Sequence, residues 1–138
     1  MAYENTYKMF IQVINTIFSY LIQSGFNKQE VSLSNTKTYA QVIFVGQNVG
    51  LSFSYDFIEE ACDCAIAKVE NGEYVKLKGS KSSWLPLFSF LVERYKYRGG
   101  IKLNKFIKKN QFAEFYKFNE MLKVAGKSLI EDKKEAFE

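Results

Sequence analysis

Between residues 39 and 77, apolar and polar residues alternate with a period of two in short segments separated by turn residues. Such alternation predicts β-strands, because successive side chains on a strand point to opposite faces of the sheet. The segment 49–57 is the most regular: its odd-numbered residues are all apolar or aromatic, and its even-numbered residues are Gly, Ser, Ser and Asp. We therefore expect this strand to bury one face and to expose Ser52 and Ser54 on the other.

Further segments extend the pattern into an antiparallel meander of three to five strands. We expect these strands at 39–45, 61–69 and about 73–77, preceded by a short one around Val31 and Leu33. Asn71 and Gly72 separate the last two strands, and both turn positions of such a hairpin need residues that tolerate a positive φ. The spacing therefore predicts a tight hairpin at this point.

Apolar residues at helical spacing precede the strands. They recur every three to four residues from Tyr7 to Ile22, which predicts an amphipathic helix over about 4–24 that ends at Gly25. A helix lying on a membrane surface is the alternative, but the polar face carries little of the Lys and Arg typical of such helices. We interpret this helix as a cover for the core of the sheet.

Helices are also expected after the strands. The first is predicted to open at Trp84-Leu85-Pro86, with Ser82 or Ser83 as its cap, and to run to Tyr95. One long or two shorter helices should follow up to about residue 126, with Phe106 on the core face and lysines on the solvated face. Residues 127–138 are highly charged, and we expect them to be frayed, with partly helical structure as the alternative.

This order of elements defines the fold class. A helix, then an antiparallel meander, then helices is an α+β arrangement, since no alternating βαβ units call for a parallel sheet. We expect a single α+β domain over residues 1–126 and a charged C-terminal tail over residues 127–138.

The absence of histidine limits the chemistry of this chain of 138 residues. It excludes nucleophile–histidine pairs and all imidazole acid–base catalysis. The only cysteines, Cys62 and Cys64, would share one face of a strand without disulfide geometry, and no other Cys or His can complete a zinc site. The sequence therefore predicts buried free thiols, no metal, no cofactor and no enzymatic activity.

Charge divides the chain into two parts. Residues 1–75 contain four Lys and eight acids, for a net charge of −4, whereas residues 76–127 contain thirteen Lys or Arg and three acids, for a net charge of +10. Such asymmetry favours steered association with a charged partner. The acidic candidate surface is the predicted hairpin, comprising Ser52, Ser54, Asp56, Glu59, Glu60 and Asp63. We expect it to bind a protein partner, with acid–base catalysis by its carboxylates as the alternative.

The basic candidate surface suggests a second function, nucleic-acid binding. It comprises Arg94, Lys96, Arg98, Lys102, Lys105, Lys108 and Lys109. Tyr95 and Tyr97 alternate with the first three cations, and this pattern can stack on bases and neutralise phosphates. The alternative is that the lysines are a solvated helix face and that both tyrosines pack in part against the protein.

The run VGLSFSYDFIEEACDCAIAKV over 49–69 resembles the central hairpin of small bacterial immunity-type proteins from polymorphic toxin loci. The shared features are a strand that ends in Tyr55-Asp56, an acidic turn, and a strand that returns towards a short hairpin. The similarity extends over about residues 36–78, and the order of helix, meander and helices is also similar. The resemblance implies a non-enzymatic inhibitor that binds and blocks a cognate toxin, without a cofactor.

The first residues lack the basic start of a signal peptide, and no apolar stretch approaches the length of a membrane span. We therefore expect a cytoplasmic protein that does not associate with membranes. A bacterial toxin or effector is the expected partner, and the sequence leaves nucleic-acid binding and homodimer formation open.

Overall fold

A computed structural model describes residues 3–31 and 38–138. The helices are Glu4–Phe18 (α1), Tyr20–Gln23 (α2), Leu87–Tyr95 (α3), Lys105–Lys108 (α4), Ala113–Val124 (α5) and Lys127–Ile130 (α6), followed by a 3₁₀ turn at Lys134–Phe137. The strands are Asn27–Val31 (β1), Tyr39–Val45 (β2), Val49–Asp56 (β3), Ala61–Glu70 (β4), Glu73–Val75 (β5) and Trp84–Pro86 (β6). The predicted α+β class, with an N-terminal helix, an antiparallel sheet and C-terminal helices, is confirmed.

The six strands form one antiparallel sheet in the order β1-β2-β3-β4-β5, with β6 also paired to β4. Asn71 and Gly72 take φ values of 52° and 80°, so the tight hairpin between β4 and β5 is confirmed. The first strand begins at Asn27, earlier than predicted, and Leu33 lies outside the described residues. The two long strands β3 and β4 occupy the middle of the sheet.

Helices α1, α3 and α5 all contact the sheet and share one hydrophobic core with it, on what we call the core face. Aromatic rings fill the space between them: Phe18 stacks on Phe53 with 3.9 Å between ring centroids, and Phe10 lies 5.6 Å from Phe115. Large aromatic side chains bury the most apolar area per residue, so this layer dominates the hydrophobic stabilisation of the fold. Cys64 is buried in this core as a free thiol, and Cys62 is half-buried beside it.

On the opposite, outer face of the sheet, the middle of β3 is buried. Ser52 is only 3% exposed and Ser54 only 6%, so the prediction that these two serines are exposed is wrong. Larger side chains from the flanking strands lie over the small residues of β3. Gln41 donates a 2.7 Å hydrogen bond to Ser52, and the rings of Tyr74 and Trp84 lie over Gly50. The covering residues are remote in sequence, so the alternation within β3 cannot reveal them.

The segment Trp84–Pro86 is a strand and not the start of a helix, which corrects the prediction. Its backbone pairs with β4, with Trp84 opposite Ala67 and Pro86 opposite Ala65. Helix α3 therefore begins one residue after Pro86. The Ser82 hydroxyl does accept a hydrogen bond from the Trp84 N–H, but it caps no helix.

The C-terminal segment is partly helical, as the alternative predicted, and it is packed, so the prediction of a frayed tail is wrong. Leu129 and Phe137 are buried in the core, where Phe137 lies 5.4 Å from Phe90 between ring centroids. Asp132 fixes the segment to the turn between β2 and β3. Its carboxylate accepts hydrogen bonds of 2.7–2.9 Å from three consecutive backbone N–H groups, those of Gln47, Asn48 and Val49.

Candidate functional site

The backbone of the turn between β3 and β4 is held by hydrogen bonds to the side chain of Asp56. One carboxylate oxygen of Asp56 accepts hydrogen bonds from the N–H groups of Ile58 and Glu59, at 2.9 and 3.0 Å. Glu60 has a φ of 53°, a left-handed conformation that returns the chain into β4. An aspartate that bonds to backbone N–H groups two and three residues ahead stabilises such turns.

A buried aromatic residue holds this turn on the body of the protein. Phe57 is buried, stacks on Tyr3 with 5.1 Å between ring centroids, and contacts Tyr55 edge-on at 5.6 Å. Tyr55 itself donates a hydrogen bond of 3.3 Å to the side chain of Gln111, just before α5. The turn is therefore anchored on both sides by packed residues.

The outward side of the turn combines one apolar side chain with several carboxylates. Ile58 is 63% exposed, Glu59 and Glu60 are exposed directly after it, and Asp63 is exposed near the start of β4. We call the set Asp56, Ile58, Glu59, Glu60 and Asp63 the acidic turn. Ile58 was not among the residues predicted from the sequence, although an apolar residue that breaks the alternation inside an acidic turn is a usable signal.

The carboxylates of the acidic turn have no cationic partner among residues 3–31 and 38–138. Ion pairs seen within these ranges join Lys8 to Glu4 at 3.7 Å and Lys68 to Glu70 at 2.9 Å, and neither involves the acidic turn. The negative charges of the acidic turn are therefore not neutralised by any residue that the structure describes. A partner with cationic side chains can use them.

All seven residues of the predicted basic surface are exposed, as expected. For the two tyrosines the alternative holds: both pack against the protein, and the prediction that they stack on bases is wrong. Tyr95 packs inward and bonds through its hydroxyl to Ser128 and to the carbonyl of Ala136, and Tyr97 is buried, so neither ring can stack on a base. Phe106, predicted to face the core, is instead 90% exposed, because α4 is only one turn long.

The two charged surfaces approach each other near Gln111. The Gln111 carbonyl accepts a hydrogen bond from the Cys62 thiol at 3.6 Å, so the chain just after α4 lies against the β3–β4 hairpin. Lys109 is two residues before Gln111, which places their Cα atoms within about 7 Å of each other. Even so, within the described ranges no ion pair joins the basic surface to the acidic turn.

The described residues supply no reactive thiol. Burial, together with the charges of Glu114 and Asp63, raises the pKa of Cys62 to about 12. Burial also raises the pKa of Cys64 well above its usual value. The thiolate is the reactive form of cysteine, so both side chains are inert near neutral pH.

No protein-family model, curated protein or solved structure matches this chain. Within residues 3–31 and 38–138, no three potential metal ligands of the His, Cys, Asp or Glu type lie close enough to hold a metal ion. None of the helices in that part of the chain has the length and apolar character needed to cross a bilayer.

Proposed function

We propose that this chain is a non-enzymatic protein-binding domain whose acidic turn docks on a basic protein, as an immunity-like inhibitor of a cognate toxin or another bacterial effector. The observation that carries the proposal is the exposure of Ile58 on a braced turn among carboxylates that no described cation neutralises. Ser52 and Ser54 are buried and take no part.

The chemistry of the acidic turn fits a protein partner for two reasons. A fixed backbone loses little conformational entropy on binding, so the contacts of Ile58 are retained as affinity. An apolar residue that fills a pocket at the centre of an interface commonly dominates the binding energy, while surrounding charges set the partner and speed association. The expected partner therefore presents an apolar pocket surrounded by Lys and Arg.

The test compares matched variants in capture of proteins from the native host and from neighbouring genes. Wild-type protein should retain a basic partner. Ile58→Ala should weaken the affinity for that purified partner about thirtyfold, the effect of losing a contact worth about 2 kcal/mol. Ile22→Ala, which truncates an exposed isoleucine on α2, is the control and should bind as the wild type does. Failure to capture any protein, or equal affinity of the Ile58→Ala variant, would contradict the proposal.

Nucleic-acid binding by the basic surface is the second candidate function. Exposure of Phe106 beside Lys105 and Lys108 favours it, because an exposed ring among cations can stack on an unpaired base. Single-stranded DNA and RNA should then bind with an affinity that falls steeply with salt. Replacing Lys105, Lys108 and Lys109 by Ala should lower the slope of log K against log salt by about 2.

A control triple variant makes this second test specific. Lys76, Lys78 and Lys81 are also exposed, and replacing them by Ala changes the net charge by the same amount. This control should retain the wild-type slope. Equal losses in the two triple variants would show a nonspecific charge effect, and no binding to either nucleic acid at low salt would exclude this function.

A further inference from the structure

The basic surface belongs to a long stretch of purely positive charge. Residues 94–113 contain seven Lys or Arg and no Asp or Glu. All seven cations are exposed, and within residues 3–31 and 38–138 none of them lies at ion-pair distance from a carboxylate. The basic surface therefore carries positive charge that the described part of the protein does not neutralise, and such a surface attracts polyanions.

One aromatic ring projects from this surface. Phe106 is 90% exposed, the largest exposed fraction of any large apolar side chain that the structure describes. The start of α4 is fixed, because the Asn104 side chain accepts a 2.9 Å hydrogen bond from the Ile107 N–H. Ile107 is half-buried, so α4 turns this residue towards the protein and presents Phe106 to the solvent. The exposure of Phe106 is therefore a property of a capped helical turn.

The ring shares its side of α4 with lysines. Lys109, the C-terminal cap of α4, follows Phe106 by three residues and Lys105 by four, and residues at these spacings are neighbours on a helix surface. Lys108 lies three residues after Lys105 and is exposed as well. An apolar ring among long cationic side chains suits the surface of an anionic bilayer, where the ring enters the interface and the charges stay with the headgroups.

Nucleic acid is the other candidate polyanion, and the structure favours it less. Proteins that bind single strands stack successive bases on several aromatic rings. Here Tyr95 and Tyr97 pack against the protein, which leaves Phe106 as the exposed ring among residues 94–113. A bilayer contact requires only a cationic surface and an apolar group that enters the interface, and one ring meets that requirement.

We propose that the basic surface docks on bilayers that contain anionic lipids, with the Phe106 ring inserted between the headgroups. The contact is peripheral and needs no membrane-spanning helix. The expectation from sequence that the protein does not associate with membranes rests on the lack of such a span, and it does not address a surface contact. No residue of the acidic turn takes part, so the proposal is independent of the protein binding proposed above.

Sedimentation of the full chain with lipid vesicles tests the proposal. Vesicles of phosphatidylcholine with about one-third phosphatidylserine should retain the protein, whereas vesicles of phosphatidylcholine alone should not, because each cation near an anionic surface adds to the affinity. Retention should fall as salt is added, since salt screens the surface charge. No retention on the anionic vesicles at low salt would overturn the proposal.

The Phe106→Ala variant tests insertion of the ring. It should bind the anionic vesicles about tenfold more weakly, because the apolar surface of the ring is no longer removed from water. Val124→Ala, which truncates another exposed apolar side chain at the end of α5, is the control and should bind as the wild type does. Both positions are exposed, so neither change should unfold the protein. Equal affinity of Phe106→Ala and the wild type would overturn the proposal.

Two triple variants test the position of the charge. Binding to anionic vesicles should weaken about a hundredfold when Ala replaces the lysines of α4 and its cap; these are Lys105, Lys108 and Lys109. The control replaces three other exposed lysines, and it should lose less than about threefold, because charges away from the contact are screened by salt; these are Lys76, Lys78 and Lys81. Equal losses would show that net charge and not this surface determines binding, and would overturn the proposal.

Phe106→Trp distinguishes a bilayer from a nucleic acid. The chain contains one other Trp, Trp84, whose signal is subtracted with the wild-type protein. On anionic vesicles, the emission of the introduced indole should shift to shorter wavelength and be quenched by brominated lipid, because indole rings settle at the membrane interface. Binding to single-stranded DNA or RNA without binding to vesicles, or an emission that brominated lipid leaves unchanged, would overturn the proposal.

Discussion

At the scale of the residue, Asp132 carries an unusual share of the tertiary contacts. Its carboxylate satisfies three N–H groups of the β2–β3 turn, and its carbonyl accepts a 2.8 Å hydrogen bond from the Asn48 side chain. We expect Asp132→Ala to lower the free energy of unfolding by about 2–4 kcal/mol, because hydrogen bonds to a charged group are worth more than neutral ones. Urea denaturation checks this, with the exposed neighbour variant Glu131→Ala as a control that should unfold as the wild type does.

Gly46 provides a second measurement of the same contact. A Cβ atom at this position would overlap the Asp132 carboxylate, so Gly46→Ala should be strongly destabilising. The cost should shrink in the Asp132→Ala background, because the clashing group is then absent. Additive effects of the two substitutions in urea denaturation would contradict the contact.

Tyr97 leads to a prediction of the opposite sign. Removal of a buried hydroxyl that has no described partner should not destabilise the protein, and we expect Tyr97→Phe to raise the free energy of unfolding by up to about 1 kcal/mol. Denaturation in the absence of added ligands measures the change. A loss of more than 1 kcal/mol would mean that the hydroxyl has a stabilising partner.

At the scale of the residue, the sequence allowed prediction only of residues whose conformation depends on their immediate neighbours in the chain. The Asn71-Gly72 turn could be predicted because both positive φ values are preferences of the residues themselves. The role of Asp132 could not, since its partners lie 83–85 positions away along the chain. Ser52 likewise has a hydrogen-bond partner, Gln41, on the neighbouring strand β2, which the alternation within β3 does not reveal.

At the scale of the element, the end of α3 is a position where substitution should stabilise the protein. Lys96 occupies the left-handed region, which costs about 1–2 kcal/mol for residues other than Gly. Lys96→Gly should therefore raise the free energy of unfolding by about 0.5–1 kcal/mol, after allowance for the greater flexibility of glycine in the unfolded chain. Thermal or urea unfolding measures this, and Lys96→Ala should give no gain. A destabilised Lys96→Gly variant would contradict the assigned backbone conformation.

Predictions of elements succeeded where the pattern was long and failed where it was short. Helix α1 and the strands β2, β3 and β4 each supply several repeats of their period. Strand β6 has three residues, too few to show any period, and its pairing with β4 is a tertiary contact. Helix α4 has four residues, so the core face predicted for Phe106 did not form. The acidic turn was located from sequence because it joins two of the long strands.

At the scale of the whole molecule, the aromatic and thiol groups in the interior make stability depend on alkaline pH. The pKa values of Cys62, Tyr20 and Tyr55 are raised to about 12, mainly by burial, from usual values of 9.0 for the thiol and 10.0 for the phenols. Above the usual values, the unfolded chain loses these protons while the folded chain retains them. The free energy of unfolding should therefore be unaffected by these groups below pH 9 and should fall as the pH rises from 9 to 12.

Urea midpoints measured across that range test this prediction. Cys62→Ala should reduce the fall that begins near pH 9, because the thiol ionises before the phenols in the unfolded chain. Phenolate absorbance should appear together with unfolding and not before it. A constant urea midpoint up to pH 12 would contradict the burial of these groups.

The contact of Asp132 with the β2–β3 turn also determines when the sheet can be completed during synthesis. A ribosome has made Gln47 85 residues before it reaches Asp132, so the two central hairpins leave the exit tunnel long before their capping carboxylate exists. Until then, three N–H groups of the turn depend on water, and closing so long a loop adds an entropic barrier to the final step. The newly made sheet should thus remain accessible to chaperones and proteases until the helices around Asp132 are translated. Resistance to proteolysis should therefore develop only after that point.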